Sequence, residues 1–111
     1  PTVDAALLAK MSDRKQIKGC VVDGPFGLDN AISQEAATHK GVAGPVAGDA
    51  DIILCPNIEV GNAMYKTLVY FADVEVGAII SGAAAPIVLT SRADSPRTKL
   101  LSIATSIVVA G

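Results

Sequence analysis

The sequence predicts an α/β domain of three layers, with helices on both faces of a mostly parallel sheet. Two observations carry this. Four short runs, Ile17–Asp23, Asp51–Pro56, Val76–Ser81 and Ile87–Ser91, are rich in apolar residues without polar–apolar alternation. Such runs mark strands buried on both faces. Helical patterns also separate most of them, as in a parallel sheet with crossover helices. The link Gly82–Ala85 is the exception, being too short for a parallel crossover. The last two strands are therefore either an antiparallel pair or parts of different regions of a larger sheet.

Each element has its own local reason. Val3–Arg14 places Ala6, Leu7 and Met11 at helical spacing. Asp23-Gly24-Pro25 ends the first strand with a turn signal. The segment Phe26–Ile32 fits no single pattern. Ser33–Gly41 reads as a helix with a serine cap, an early Glu35, a basic end and a terminal glycine. His39 falls at the surface near its end. Gly41–Asp51 is a loop of glycine, proline and alanine. It lacks the Gly-Lys-Ser/Thr of a nucleotide cradle. Asn57–Ala72 is the clearest helix, with Val60, Ala63, Met64, Leu68 and Phe71 on one stripe. Thr98–Val109 closes the chain as an amphipathic helix, with Leu100, Ile103, Ala104, Ile107 and Val108 turned inward.

The chemistry gathers in Pro86–Ser95, PIVLTSRADS. An apolar strand runs into Ser91, Arg92 and Asp94. Ser95-Pro96, a good cap and a good first helical residue, follows. A hydroxyl, a guanidinium and a carboxylate thus lie between a strand end and a helix start, where open α/β sheets bind ligands. A helix N-terminus there favours an anion, phosphate or carboxylate.

Composition narrows the classes. The 111 residues are 50% hydrophobic and 18% charged, which excludes a disordered chain and implies faces buried against something outside it. A net charge of -2 with 4% aromatic residues argues against a nucleic-acid surface. The apolar stretch Val76–Thr90 is too short to span a bilayer and is broken by Gly82 and Pro86. Cys20 and Cys55 read as buried free thiols of a reducing compartment. With one histidine, they make no metal-ligand spacing.

The ordered motifs DGP, LDNAISQEAATHKG, GPVAGDADIILCPNIEVGNAMYK and PIVLTSRADS resemble the C-terminal part of the phosphate acetyl- and butyryltransferases. LDNAIS and PIVLTSRADS are closer to the butyryl enzymes. The resemblance covers nearly the whole chain. It implies that residues 1–111 are the C-terminal portion of a longer enzyme whose N-terminal part is absent here; the opening in mid-helix agrees. It further implies a fold like that of isocitrate and isopropylmalate dehydrogenases, with two α/β domains flanking a cleft. The implied protein is a cytoplasmic homo-oligomer. The implied reaction moves a short acyl group between coenzyme A and inorganic phosphate, with coenzyme A as substrate and no metal or permanently bound cofactor.

By the same resemblance, Ser91 and Arg92 contact phosphate, and Lys66, with Asn62 one helical turn before it, belongs to the GN-x-x-YK motif near the cleft. The sequence departs from the acetyl enzymes at Thr98, where they carry a carboxylate proposed as base. Asp94 is the nearest carboxylate left, as base or as a group orienting Arg92. Each residue also has an ordinary structural role: Arg92 paired with Asp94, Ser91 as a turn hydroxyl, Lys66 solvated, Tyr65 half-buried, and Asn57 capping its helix. Asp23, Asp29 and Asn30 fit turn chemistry better than coenzyme contact. Two alternatives stand beside the butyryl reading: a phosphate acetyltransferase, and, for these residues alone, a non-catalytic module that binds an anion or mediates oligomerisation.

Overall fold

The computed structural model describes all of Pro1–Gly111. It contains five helices: α1 (Thr2–Asp13), α2 (Leu28–Ile32), α3 (Gln34–His39), α4 (Ile58–Phe71) and α5 (Pro96–Ala110). The chain divides into two compact units, Pro1–Val60 and Gly61–Gly111. The division falls in the first turn of α4.

The expected three-layer αβα sheet is absent. None of the four apolar runs forms a strand, and their only ladder contact is one antiparallel bridge between Ile80 and Ile87. Ile80 N–H donates to the Ile87 carbonyl at 2.8 Å, and Ile87 N–H returns the bond at 3.3 Å. Gly82–Ala85 therefore turns an antiparallel pair, one of the two arrangements left open by its length. The physical reason for the wider failure is pairing. An apolar run becomes a strand only when a neighbour accepts its backbone hydrogen bonds. Asp51–Pro56 has no such neighbour, and Ile52 and Leu54 stand 83% and 76% exposed. The cysteines follow their runs: both are free, but Cys20 is exposed and Cys55 only half-buried.

The first unit closes around small residues. Ala31, Ala37 and Ala47 are its buried apolar side chains. The ambiguous segment resolves into α2, which packs on α3. Ser33 ends α2 and caps α3, its hydroxyl accepting the Ala36 N–H at 3.2 Å. The following loop is tied back to α2: Gly48 N–H reaches the Asn30 carbonyl at 2.7 Å and Ala50 N–H the Ala31 carbonyl at 3.0 Å. Gly48 has φ +83°, and a Cβ there would lie 2.6 Å from Gln34 Cα. Only glycine fits both that conformation and that approach. An ion pair, Lys40 Nζ to Asp29 Oδ2 at 2.6 Å, joins the end of α3 to α2.

In the second unit α5 carries the packing, through a face other than the expected one. Leu100, Ile103, Ile107 and Val108 are exposed. The buried residue of α5 is Ser102, at 1% exposure. Its Oγ accepts the Ala78 N–H at 3.0 Å and donates to the Thr98 carbonyl at 2.8 Å. A Cβ on Gly77 would stand 2.6 Å from Thr105 Oγ1 and 3.1 Å from the Leu101 carbonyl oxygen. The extended segment around Gly77 and Ala78 thus lies directly on a small, polar helix face. The stripe on α4 is likewise open: Val60, Leu68 and Phe71 are exposed and α4 buries no residue.

Candidate functional site

The turn Ser91–Asp94 is built by its own side chains. The Asp94 carboxylate accepts the Ser91 N–H at 2.6 Å, and the Asp94 N–H donates to the Ser91 carbonyl at 3.1 Å. Ser91 Oγ accepts the Ala93 N–H at 3.3 Å, which leaves the hydroxyl proton available to an incoming acceptor. Asp94 is thus committed to the turn backbone. Arg92 at the tip is exposed and forms no ion pair or side-chain hydrogen bond. The Arg92–Asp94 pair, one of the two sequence readings, does not form.

The helix after the turn begins as its sequence dictates. Ser95 Oγ accepts the Thr98 N–H at 3.0 Å, and Pro96 is the first helical residue. The Thr98 hydroxyl lies 3.0 Å from Ser95 Oγ. At this position the chain offers a neutral capping group. One charged contact had no local signal: Arg97 grips Glu75 with two bonds, Nε to Oε1 at 2.7 Å and a terminal nitrogen to Oε2 at 3.2 Å. The hydrogen bond, then the charge, of Arg97 holds Glu75 below the usual carboxylate range.

Asn62 and Lys66 lie on α4 and are exposed. Asn57 caps this helix, its Oδ1 accepting the Val60 N–H at 2.9 Å. The Lys66 ammonium sits 5.7 Å from the centre of the Tyr65 ring and 5.8 Å from that of Tyr70. Tyr65 is half-buried. Burial, then the charge of Asp94, then Tyr70, push its phenol above the ordinary tyrosine range. The carboxylate that builds the turn therefore acts on α4. Of the two motifs YK and SRAD, the carboxylate of the second bears on the phenol of the first. Tyr65 was legible only as a half-buried tyrosine; the influence of Asp94 on its phenol left no local signal.

The remaining residues are placed by turn and helix chemistry. Asp23 Oδ1 accepts its neighbour Gly24's N–H at 2.8 Å, whereas Asp23 Oδ2 and Asn30 Oδ1 are buried without partners. His39 ends α3 at the surface. No group of three or more His, Cys, Asp or Glu side chains is arranged to hold a metal ion. No helix is long and apolar enough to cross a membrane. One concavity, of about 470 Å³, is lined by residues between Ser12 and Val21. Another, of about 180 Å³, is lined chiefly by the Ser81–Pro86 turn and the end of α5. The turn Ser91–Asp94 lines neither and stands on open surface.

Arg92 is thus unpaired, next in sequence to a serine hydroxyl whose proton is available, just before α5 begins. The class follows from comparison with known proteins: the chain belongs to the phosphate acetyl/butaryl transferase family, which matches residues 2–107. Among individual relatives, the phosphate butyryltransferase of Clostridium beijerinckii is 68% identical over 109 residues, spanning 98% of this chain and 36% of that protein. The phosphate acetyltransferase of Thermotoga maritima is 56% identical over 109 residues, 98% of this chain and 37% of its own length. The crystal structure of a branched-chain phosphotransacylase from Enterococcus faecalis superimposes with a TM-score of 0.83 at 40% identity, covering 96% of this chain and 38% of that one. The chain thus spans about a third of the length of the relatives it matches.

Proposed function

We propose that residues 1–111 are the C-terminal portion of a phosphate acyltransferase that moves a butyryl group between coenzyme A and inorganic phosphate. The reading rests on one observation above all: Arg92 stands unpaired at the tip of a turn whose own carboxylate is occupied elsewhere. A guanidinium in that state is free to take phosphate through two parallel bonds. Ser91 adds a hydroxyl donor, and Lys66 and Asn62 add a cation and an amide from α4.

In the direction of acyl-coenzyme A synthesis, the coenzyme thiolate attacks the carbonyl carbon of the acyl phosphate. A C–S bond forms and the C–O bond to phosphate breaks. Inorganic phosphate leaves with the electron pair. No electrons are transferred to a cofactor, so the reaction balances with coenzyme A and phosphate alone. Arg92 and Ser91 stabilise the phosphate as it gains charge on leaving. Asp94, held at 2.6 Å by the Ser91 N–H, sets the shape of the turn. It acts on the reaction through Ser91 and Arg92. The enzyme is a cytoplasmic homo-oligomer, and the exposed apolar side chains are covered within it.

Identity to a relative named phosphate acetyltransferase, 56%, favours acetyl transfer as the second reading. Butyryl and acetyl differ by two methylenes, and a hydrophobic pocket discriminates each one only about 10–200-fold. The test is phosphate-dependent release of free thiol from butyryl- and acetyl-coenzyme A by the full-length protein, with and without Arg92→Ala. Faster butyryl turnover, reduced about 100-fold or more in the variant, is the expected result. Activity untouched by Arg92→Ala would discard the site. Absence of release with both substrates would leave an anion-binding or oligomerisation module.

A further inference from the structure

The helix that carries Lys66, α4, holds two tyrosines whose presence the reaction does not explain. A lysine on an exposed helix face normally samples many rotamers, and ordering it costs conformational entropy. Lys66 is different because its ammonium lies within cation–π range of two rings, 5.7 Å from Tyr65 and 5.8 Å from Tyr70. Tyr70 is one helical turn beyond Lys66 and Tyr65 immediately precedes it, so the rings approach from two sides. Tyr70 is 67% exposed, so no core packing accounts for its ring. Tyr65 is anchored differently, half-buried and in the field of Asp94, the carboxylate that shapes the Arg92 turn.

We propose that Tyr65 and Tyr70 are positioning residues that clamp the Lys66 ammonium and so set the affinity of the site for the phosphate group. The proposal rests on the reading of the Arg92 turn as the phosphate site. An ammonium already held in place loses little freedom when the anion arrives, so the clamp acts on binding. It makes no contact that forms only in the transition state, so it leaves turnover unchanged.

The test uses the full-length protein, with KM for phosphate and kcat measured separately by thiol release from butyryl-coenzyme A. Tyr70→Leu and Tyr65→Leu each raise KM for phosphate about two- to five-fold, the size of one exposed cation–π contact, with kcat unchanged. Tyr70→Phe, which keeps the ring, retains the wild-type KM. In a Lys66→Met background, Tyr70→Leu produces no further change. Because Tyr70 is largely exposed, its variants test the clamp even if Tyr65→Leu fails to fold. Wild-type KM in Tyr70→Leu would overturn the proposal. So would equal loss in Tyr70→Phe, or an undiminished Tyr70→Leu effect without Lys66. An inactive wild-type protein would instead overturn the reading of the site, and the clamp with it.

Discussion

Asp94 shows how one carboxylate is committed before any ligand arrives. It accepts the Ser91 N–H at 2.6 Å and its charge reaches Tyr65. The Tyr65 phenol is held above the ordinary range by burial first, by Asp94 second and by Tyr70 third. Asp94→Asn removes the charge and preserves an acceptor for the turn. The Tyr65 titration, followed by ultraviolet absorbance, should move down toward, but not reach, the usual tyrosine value, because burial remains. A phenol whose folded pKa is raised stabilises the fold fully below the unfolded value, and that contribution is lost as pH rises through the folded value. Asp94→Asn therefore weakens the pH dependence of stability on the alkaline side. An unmoved Tyr65 titration would show that Asp94 does not face α4. The caps and the turn around this residue were legible in the sequence, since Ser95-Pro96 and Ser91–Asp94 are satisfied within three residues of themselves. The link to Tyr65 spans two elements and left no local trace.

At the level of elements, what was legible divides by the range of the interaction. Ser33, Asn57 and Ser95 each cap the helix that follows, because a cap needs only a side-chain oxygen and an N–H three residues on. The apolar runs were misread as strands because a strand depends on a partner its own residues do not specify. The face of α5 was misread for another reason. Its branched apolar residues share one stripe, but the extended segment at Gly77 approaches too closely for large side chains. Thr105, Ser102 and the backbone at Leu101 meet it instead. Ser102→Ala should thus cost more than an alanine substitution in a helix suggests. It leaves the Ala78 N–H without its acceptor, a loss of about 1–3 kcal/mol in urea unfolding. A loss within experimental error would mean that water replaces the hydroxyl. The Arg97–Glu75 pair ties the start of α5 to the same extended segment. Its carboxylate pKa is lowered, so its contribution is present above the ordinary glutamate value and lost as pH falls through the folded one. In Arg97→Gln, the Glu75 carboxyl should titrate at its ordinary value by nuclear magnetic resonance. A midpoint still depressed would identify another cause.

Across the whole chain, the apolar content and the buried content do not match. Half of the residues are hydrophobic, yet the buried apolar residues are three alanines of the first unit. Large side chains lie open in both units, among them Ile52 at 83%, Phe71 at 88% and Val108 at 80%. Soluble proteins rarely leave apolar surface of this kind uncovered, and small cores supply little against the entropy of ordering a chain. The composition already implied faces covered from outside, and the exposure of these residues is consistent with that. The 111 residues expressed alone should therefore bind a hydrophobic dye such as ANS strongly and unfold over a broad thermal range. They should also show no acyl transfer, because they span only 36–37% of the length of the full-length transferases they resemble. In the full-length protein, dye binding should fall and unfolding should sharpen into a cooperative transition. A sharp transition without dye binding in the isolated chain would mean that its two units hold themselves together without the side chains left open here. Acyl transfer by the isolated chain would mean that Ser91, Arg92 and the residues around them suffice for the chemistry.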